Sequence, residues 1–201
     1  MTWVEIISAL LGLSCVFLAG RNSKYNFYIG YIYNIFLFVL FLHQHLYSAM
    51  ILQPISLAIN AFGHYRWTHP GEKERSSADA ARLKVGAVTR EQWPGFVLFI
   101  CVFGACWAML LDWLPEKWPG IFAPDPSPWL DSYVLMLTLF AQYLSAQKCW
   151  QCWIVWLIVN VGNLALYISS GLYLMPVVSL LYIINGIWSL VSWKKLYKKD
   201  E

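Results

Sequence analysis

The chain has 201 residues, of which 59% are hydrophobic and only 12% are charged, and its mean hydropathy is +0.53. A soluble domain would carry roughly 25% charged residues, so the composition excludes an ordinary soluble globular domain. The length allows six to eight membrane spans of about 20 residues each. Trp (12), Tyr (12) and Phe (11) are abundant, as expected where aromatic rings anchor helices at a bilayer interface.

Seven apolar stretches follow one another along the chain, and each is predicted to be a transmembrane helix. They cover residues 3–19, 27–42, 46–65, 93–113, 132–146, 153–168 and 172–193. The first is not expected to be a signal peptide, because it lacks a basic start and is followed by Arg21 and Lys24. Residues 68–92 are expected to form a solvated linker. Residues 115–130, with five prolines, are expected to form an irregular outer loop.

The distribution of basic residues predicts the orientation in the membrane. If the seven spans alternate, 13 of the 14 Lys and Arg residues fall on one side, and only Lys117 falls on the other. The positive-inside rule assigns the basic side to the cytoplasm. We therefore expect the amino terminus outside and the carboxyl terminus in the cytoplasm, with the protein in a bacterial inner membrane.

An internal repeat appears when the sequence is shifted by 126 residues. The shift aligns Ile32 with Ile158, Asn34 with Asn160, Leu46-Tyr47 with Leu172-Tyr173, and Trp67 with Trp193. It predicts one triple-helix unit in residues 1–67 and a second in 129–201, with loops and a linker helix in 68–128. A three-helix unit crosses the membrane an odd number of times, so the unpaired fourth span restores the orientation of the second unit. The predicted fold is an all-α integral membrane protein with seven helices in a 3+1+3 arrangement of parallel repeats.

Such parallel repeats are typical of transporters that hold a substrate near the membrane midplane. The alternative is a structural bundle that was duplicated for packing alone. Polar residues within the spans favour the transporter. The sixth span places Trp153, Trp156, Asn160, Asn163 and Tyr167 within a stripe of about 80° on one helix face.

Asn is costly against lipid, so this stripe should face protein or a wet cavity. Two Trp rings one turn apart suit a flat or cationic ring, and amides bind hydroxyl or carboxamide groups. We therefore predict a substrate site around the stripe. Other spans contribute polar residues that could join this site or connect helices, namely Gln53, Asn60, Gln142, Tyr182 and Asn185.

No span centre carries Asp, Glu, Lys or Arg, whereas proton-coupled carriers usually need an acid or His within the membrane. Passive facilitated diffusion is the simpler hypothesis, although sodium sites built from backbone carbonyls escape this argument. Common hydrolase, metalloprotease and phosphate-loop motifs are absent from the sequence. Cys149 and Cys152 form a CxxC without a second Cys or His pair nearby. We expect no enzyme activity, cofactor, metal site or nucleic-acid partner.

Several motifs resemble those of the PnuC vitamin transporter family. They are Trp3-Val4-Glu5, Tyr25-Asn26-Phe27, the run from Asn60 to Trp67, Trp129-Leu130-Asp131-Ser132, and the WxxWxxxN motif of Trp153, Trp156 and Asn160. The resemblance covers nearly the whole chain and implies a relative of the SWEET sugar-transporter architecture, often trimeric. It also implies facilitated diffusion of nicotinamide riboside, which a cytoplasmic kinase then traps by phosphorylation. The WxxWxxxN residues would line the site, with Asn34, Gln53, Asn60 and Asn185 as further candidates.

One residue departs from the family pattern. Family members for nicotinamide riboside commonly carry Trp after the glycine of the third span, where this chain has His64. Thiamine-transporting relatives share the same frame, and thiamine is also a cationic aromatic ring with a hydroxyl-bearing tail. A thiamine carrier therefore stays open as an alternative, as do a SWEET-like sugar carrier and a membrane scaffold without transport activity.

Overall fold

The computed structural model describes residues 3–43, 47–76, 82–121, 124, 127–169 and 174–200. Within them the chain forms seven α-helices and one short 3-10 turn, Glu72–Glu74. The helices are α1 (Trp3–Gly20), α2 (Tyr25–His43), α3 (Tyr47–Thr68), α4 (Trp93–Lys117), α5 (Pro128–Ala146), α6 (Cys152–Ser169) and α7 (Leu174–Asp200). The described part of each predicted apolar stretch falls on one helix, whereas residues 46, 172 and 173 lie outside the described residues. The prediction of an all-α fold with seven helices is confirmed.

Six of these helices form a closed ring. Going round it, α1 packs on α2, α2 on α3, α3 on α5, α5 on α6, α6 on α7, and α7 returns to α1. Helix α4 packs on α5 and lies outside the ring. The order of contacts is unchanged when α1, α2 and α3 are exchanged for α5, α6 and α7. A central space is thereby enclosed by helices from both halves of the chain.

The turns that follow α1 and α5 have the same backbone hydrogen bonds. After α1, the Ser23 N–H donates to the Leu18 carbonyl at 3.0 Å; after α5, the Cys149 N–H donates to the Leu144 carbonyl at 2.9 Å. Each turn contains one residue with positive φ, Asn22 at 58° and Lys148 at 59°. This is the Schellman arrangement of helix C-termini, in which glycine is usual. A left-handed lysine costs about 1–2 kcal/mol, so other contacts of Lys148 must offset that cost.

Residues 83–88, which we call the strap, are not the solvated linker that the sequence predicts. Leu83, Val85 and Val88 are buried and join the main apolar cluster. The Gly86 N–H donates to the Lys148 carbonyl at 3.0 Å, and the Trp150 N–H donates to the Gly86 carbonyl at 3.1 Å. The prediction fails here because Leu83 and Val85, two residues apart in an extended segment, point the same way. Burying each of these apolar side chains stabilises the packed strap by about 1.5–3 kcal/mol. Glu72 and Lys73, earlier in the linker, are exposed as predicted.

The predicted outer loop is shorter than residues 115–130, because helices extend into it from both sides. Helix α4 continues through Pro115 to Lys117, and α5 begins at Pro128. A proline in the last turn of a helix removes a single hydrogen bond, and a proline at the first helical position has the φ that a helix needs. These two prolines are therefore compatible with the helices that contain them.

Two helical segments in the described part of the chain, Trp93–Lys117 and Pro176–Lys199, are long and apolar enough to cross a membrane. Three shorter apolar helical segments, Ile6–Gly20, Tyr25–Leu40 and Cys152–Ala165, accompany them. Only 11% of the apolar window in Trp93–Lys117 is buried. Its exposed surface includes the large side chains of Leu98, Phe99 and Phe103.

Candidate functional site

The ring of six helices encloses a cavity of about 390 Å³. Every helix of the ring contributes side chains to its wall, and the described residues of α4 contribute none. Its volume lies in the range of roughly 300–1,000 Å³ that is usual for sites that bury small molecules. The cavity therefore lies at the junction of the two halves of the chain.

Eight of the nine site residues predicted from the sequence line this cavity. They are Asn34, Gln53, Asn60, Gln142, Trp153, Trp156, Asn160 and Tyr182. Asn163 lines it too, whereas the side chain of Tyr167 lies outside the described part of the structure. The ninth residue, Asn185, is not in the cavity wall; its side-chain amide donates to the Val16 carbonyl at 3.3 Å and so connects α7 to α1.

The Trp-Asn stripe forms an ordered wall on α6. The indole N–H of Trp156 donates to Ser145 Oγ at 3.1 Å, and the side-chain amide of Asn160 donates to the Trp156 carbonyl at 2.8 Å. Trp153 is only 2% exposed, and its indole N–H has no hydrogen-bond partner among the described residues. A buried donor without a partner is costly, so this N–H is a polar group that the described residues leave unsatisfied.

Helices α2 and α3 provide a second polar wall. The side-chain amide of Asn60 on α3 donates to the Phe27 carbonyl of α2 at 2.9 Å. This crossing passes over Gly30, where an added Cβ would lie 2.8 Å from Asn60 Oδ1 and 2.9 Å from Nδ2. A side chain at position 30 would collide with the amide, so glycine is required for Asn60 to reach α2.

Helix α1 and Tyr33 also line the cavity, although they are not among the site residues predicted from the sequence. Helix α1 lines the cavity with Gly12, Cys15, Val16 and Ala19, whose spacing of three, one and three residues defines one helix face. An added Cβ at Gly12 would collide with the Tyr182 hydroxyl. The small side chains therefore make room for aromatic residues from other helices. A face of small residues at helical spacing is the signal that could have identified this wall.

The cavity wall contains no Asp, Glu, His, Lys or Arg among the described residues. The described part of the chain also has no cluster of three His, Cys, Asp or Glu side chains that could hold a metal ion. The chemistry on offer is therefore neutral: amides, hydroxyls and indole rings, of which Trp156 is half-buried and Trp153 is buried in the wall. Such a wall can stack on an aromatic ring and exchange hydrogen bonds with hydroxyl or amide groups.

His64, the departure from the family pattern, lies behind the cavity wall. Its Nδ1 is 3.0 Å from the Tyr31 hydroxyl, and its ring stacks on Phe27 with centroids 5.4 Å apart and planes inclined by 16°. Phe27 lines the cavity, whereas His64 does not. Position 64 can therefore influence a substrate through the placement of Phe27.

The CxxC of Cys149 and Cys152 consists of two free cysteines in this structure. Reactive CxxC motifs owe their chemistry to a thiol whose pKa lies below the ordinary value. Here burial does the opposite and raises the pKa of the Cys149 thiol to about 11. Burial therefore shifts the pKa of this thiol in the direction opposite to that of a reactive CxxC.

We expect Cys149 to react slowly with iodoacetamide in the folded protein. The pKa of its thiol is raised to about 11, whereas an unperturbed thiol has a pKa of about 8.5. Because only the thiolate is alkylated, the rate at pH 8 should be about two orders of magnitude below that of the unfolded chain. Mass spectrometry of the peptide after timed alkylation measures this rate, with the protein in denaturant as the control. Equal rates in the two states would contradict the burial described here.

Comparison with known proteins places the whole chain in one family of carriers. The profile of the family described as "Nicotinamide mononucleotide transporter" matches residues 2–195. A nicotinamide riboside transporter PnuC of Escherichia coli is 29% identical over 199 residues, which cover 92% of this chain and 80% of the relative. A riboflavin/roseoflavin transporter RibM of Streptomyces davaonensis is 23% identical over 98% of this chain and 87% of the relative. These relatives are transporters and not enzymes.

The fold agrees with a solved structure as well. The crystal structure of a vitamin B3 transporter PnuC superposes with a TM-score of 0.73, covering 99% of this chain and 83% of that chain at 20% identity. This similarity establishes that the two proteins share a fold, and carriers of this kind are membrane proteins. Since the family profile matches 2–195 out of 201 residues, the chain belongs to the nicotinamide mononucleotide transporter family, the family of the PnuC vitamin transporters.

Proposed function

We propose that this protein is a membrane carrier that takes up a water-soluble aromatic vitamin, with nicotinamide riboside as the first candidate substrate. The observation that carries the proposal is the uncharged cavity of about 390 Å³ between the two halves, with Trp153, Trp156 and Asn160 on one wall. In the proposed complex the aromatic ring of the vitamin stacks on the indoles of α6. The amides of Asn60 and Asn160 form hydrogen bonds with its carboxamide and hydroxyl groups.

The family comparison supports this substrate class and leaves room for other vitamins. One relative is named as a carrier of nicotinamide riboside, and another as a carrier of riboflavin and roseoflavin. Thiamine offers the same combination of a cationic ring and a hydroxyl, so Trp153 and Trp156 suit it equally. A sugar carrier is less favoured, because sugars need more hydrogen-bonding groups and fewer indoles.

We infer that transport is facilitated diffusion by alternating access. The described part of the cavity wall lacks an acid or a His that could relay a proton. Net uptake would then depend on trapping, in which a cytoplasmic kinase phosphorylates the vitamin after release. The family resemblance also suggests a trimer. The kinase and the other subunits of the trimer are part of the proposal, and both act outside the cavity.

The 3+1+3 arrangement and the membrane orientation belong to the same proposal. Support for the repeat comes from the ring of contacts, which is unchanged on exchange of the two halves. Further support comes from the matching turns, because Asn22 and Lys148, which share a positive φ, are 126 residues apart. Exposed apolar side chains on α4 suit contact with lipid. The basic end of the bundle would face the cytoplasm of a bacterium, with the amino terminus outside.

Binding titrations on purified protein in detergent test the substrate class. Nicotinamide riboside, thiamine and riboflavin are titrated in parallel, and Trp fluorescence reports occupancy because two indoles line the cavity. We expect one of the three to bind at least tenfold more tightly than the others. Binding of none of them, by a protein whose melting transition is intact, would reject the vitamin carrier.

Transport in proteoliposomes tests the mechanism. We expect radiolabelled nicotinamide riboside to equilibrate across the membrane at the same rate with and without a proton or sodium gradient, because the described residues of the cavity wall include no acid that could couple transport to an ion. Liposomes without protein provide the baseline. Accumulation above the external concentration that follows an imposed gradient would contradict facilitated diffusion.

A further inference from the structure

Large side chains fill the bundle at one end, directly next to the cavity. This end contains the turns after α1 and α5, the last turn of α3 and the part of α7 around Trp193. We call it the basic end because Arg21, Lys24 and Lys194 lie there. Trp67 on α3 is 7% exposed and Trp193 on α7 is fully buried. Neither indole lines the cavity, whereas Phe27 and Trp153, which contact them, do.

The aromatic rings form a continuous layer at this end. Phe27 meets Trp67 edge-on with centroids 5.0 Å apart, and Trp67 meets Trp193 at 5.7 Å. Trp153 stands edge-on against Trp193 at 5.5 Å. The buried residues Leu83 and Val85 of the strap belong to the same apolar cluster. A vitamin in the cavity would have to displace this layer in order to leave through the basic end.

Two hydrogen bonds in the layer join the two halves of the chain. The Trp67 indole N–H, from the first half, donates to the Ser145 carbonyl of α5 at 3.2 Å. The Trp193 indole N–H, from the second half, donates to the Gly20 carbonyl of α1 at 3.1 Å. Both acceptors lie in the last turn of a helix, where carbonyls have no partner within the helix. The two bonds therefore hold α3 on α5 and α7 on α1 at the same end of the bundle.

Lys148 connects the strap to this layer. Its side chain is buried, with only 2% of the residue exposed. Nζ donates to the Leu83 carbonyl and lies 4.8 Å from the centroid of the Trp67 ring. A buried ammonium is costly unless it is hydrogen-bonded or faces an aromatic ring, and here both conditions are met. The same residue holds the left-handed position that would otherwise favour glycine.

We propose that Trp67, Trp193 and the strap form the inner gate of the carrier, and that Lys148 is its latch. The inference rests on the proposed transport function. It adds the location at which the substrate's path from the cavity to the basic end is closed. To open, the gate must break the two indole hydrogen bonds between the halves and release the strap from the turn after α5. Lys148 is a positioning residue, since it touches the gate and does not line the cavity.

A disulfide between the strap and the α5–α6 turn tests the gate directly. Gly86 pairs with Cys149 in a parallel bridge, and an added Cβ at Gly86 meets nothing within 4 Å. Paired backbones lie about 4.8 Å apart, within the Cα separation that a disulfide spans. The added Cβ is more than 4 Å from every atom of Cys149, so the strap must move slightly towards the turn to reach the usual Cβ separation of about 3.8 Å. Gly86→Cys should therefore form a bond with the native Cys149 on treatment with copper phenanthroline, and mass spectrometry verifies it. Failure of this bond to form would contradict the position of the strap.

With the bond formed, we expect nicotinamide riboside transport in proteoliposomes to fall at least tenfold and to return after reduction by dithiothreitol. Binding in detergent should persist, because the cavity is untouched. The wild type controls for a bond between Cys149 and Cys152, and Gly86→Cys combined with Cys149→Ser controls for the oxidant. Transport that continues with the bond in place overturns the gate. Loss of both binding and transport in the reduced variant and in the wild type rejects the proposed function instead.

Amide hydrogen exchange tests the role of Lys148 without any substrate. In Lys148→Met, which keeps a long apolar side chain and removes the ammonium, the amides of Gly86 and Trp150 should exchange at least fivefold faster than in the wild type. Lys117→Met is the matched control, since Lys117 is exposed and lies at the end of α4. Unchanged exchange in Lys148→Met would overturn the role of Lys148, even if the carrier transported a different vitamin.

Discussion

Replacement of Trp153 by alanine is expected to weaken nicotinamide riboside binding at least tenfold. Stacking of a base on an aromatic side chain contributes about 1–3 kcal/mol, and each 1.4 kcal/mol, roughly, changes the dissociation constant tenfold. The indole also offers the buried N–H that has no partner among the described residues. Both contributions disappear in the alanine variant. Trp fluorescence and isothermal titration calorimetry on detergent-purified protein measure the loss.

Two further variants separate stacking from hydrogen bonding and from folding. Trp153→Phe keeps a ring and removes the N–H, so it should lose less affinity than Trp153→Ala. Trp113→Ala is the matched control, because Trp113 is 48% exposed on α4, whose described residues do not line the cavity. Asn160→Ala should weaken binding as well. Unchanged affinity for all three vitamins in both Trp153→Ala and Asn160→Ala would place the substrate elsewhere.

The second large effect is expected from Gly63→Val on α3. An added Cβ at Gly63 would lie 2.9 Å from Ala146 Cβ, 3.0 Å from Ala146 Cα and 2.8 Å from Phe27 Cε1. Because Ala146 Cα belongs to the backbone of α5, a valine forces α3 away from α5 and opens the contact between the halves. Overpacking costs about 1–3 kcal/mol, which corresponds to a fall of about 3–10 °C in the melting temperature of a chain of this size.

Differential scanning fluorimetry in detergent measures the melting temperature of this variant. Gly95→Val is the matched control, since an added Cβ at Gly95 on α4 meets nothing within 4 Å. The control should melt within about 2 °C of the wild type, which is the scale of a surface substitution. If Gly63→Val and Gly95→Val melted at the same temperature, the close packing of α3 on α5 would be disproved.

The number and position of the helices follow from local sequence alone. Apolar stretches long enough for a span, separated by charged or proline-rich segments, predict all seven helices, and the ends agree within four residues except at α7, which continues seven residues beyond position 193. The wall of the site on α6 is also local, because Trp153, Trp156 and Asn160 lie on one face of any α-helix. The first prediction uses the length of each apolar stretch, and the second uses the helical spacing within α6. Neither requires knowledge of which elements pack against each other.

Only the tertiary structure decides which helix faces meet. Asn185, like Asn160, is an amide residue within a predicted span, yet its side-chain amide donates to the Val16 carbonyl and does not line the cavity. The strap belongs to a segment that the sequence predicts to be a solvated linker, yet Leu83 and Val85 are buried in the same apolar cluster as Trp67 and Trp193. The small residues of α1 resemble ordinary packing residues, yet Gly12 and Cys15 line the cavity. Each of these outcomes depends on contacts between segments far apart in the chain, and the pattern within one helix does not identify the segment that its face contacts.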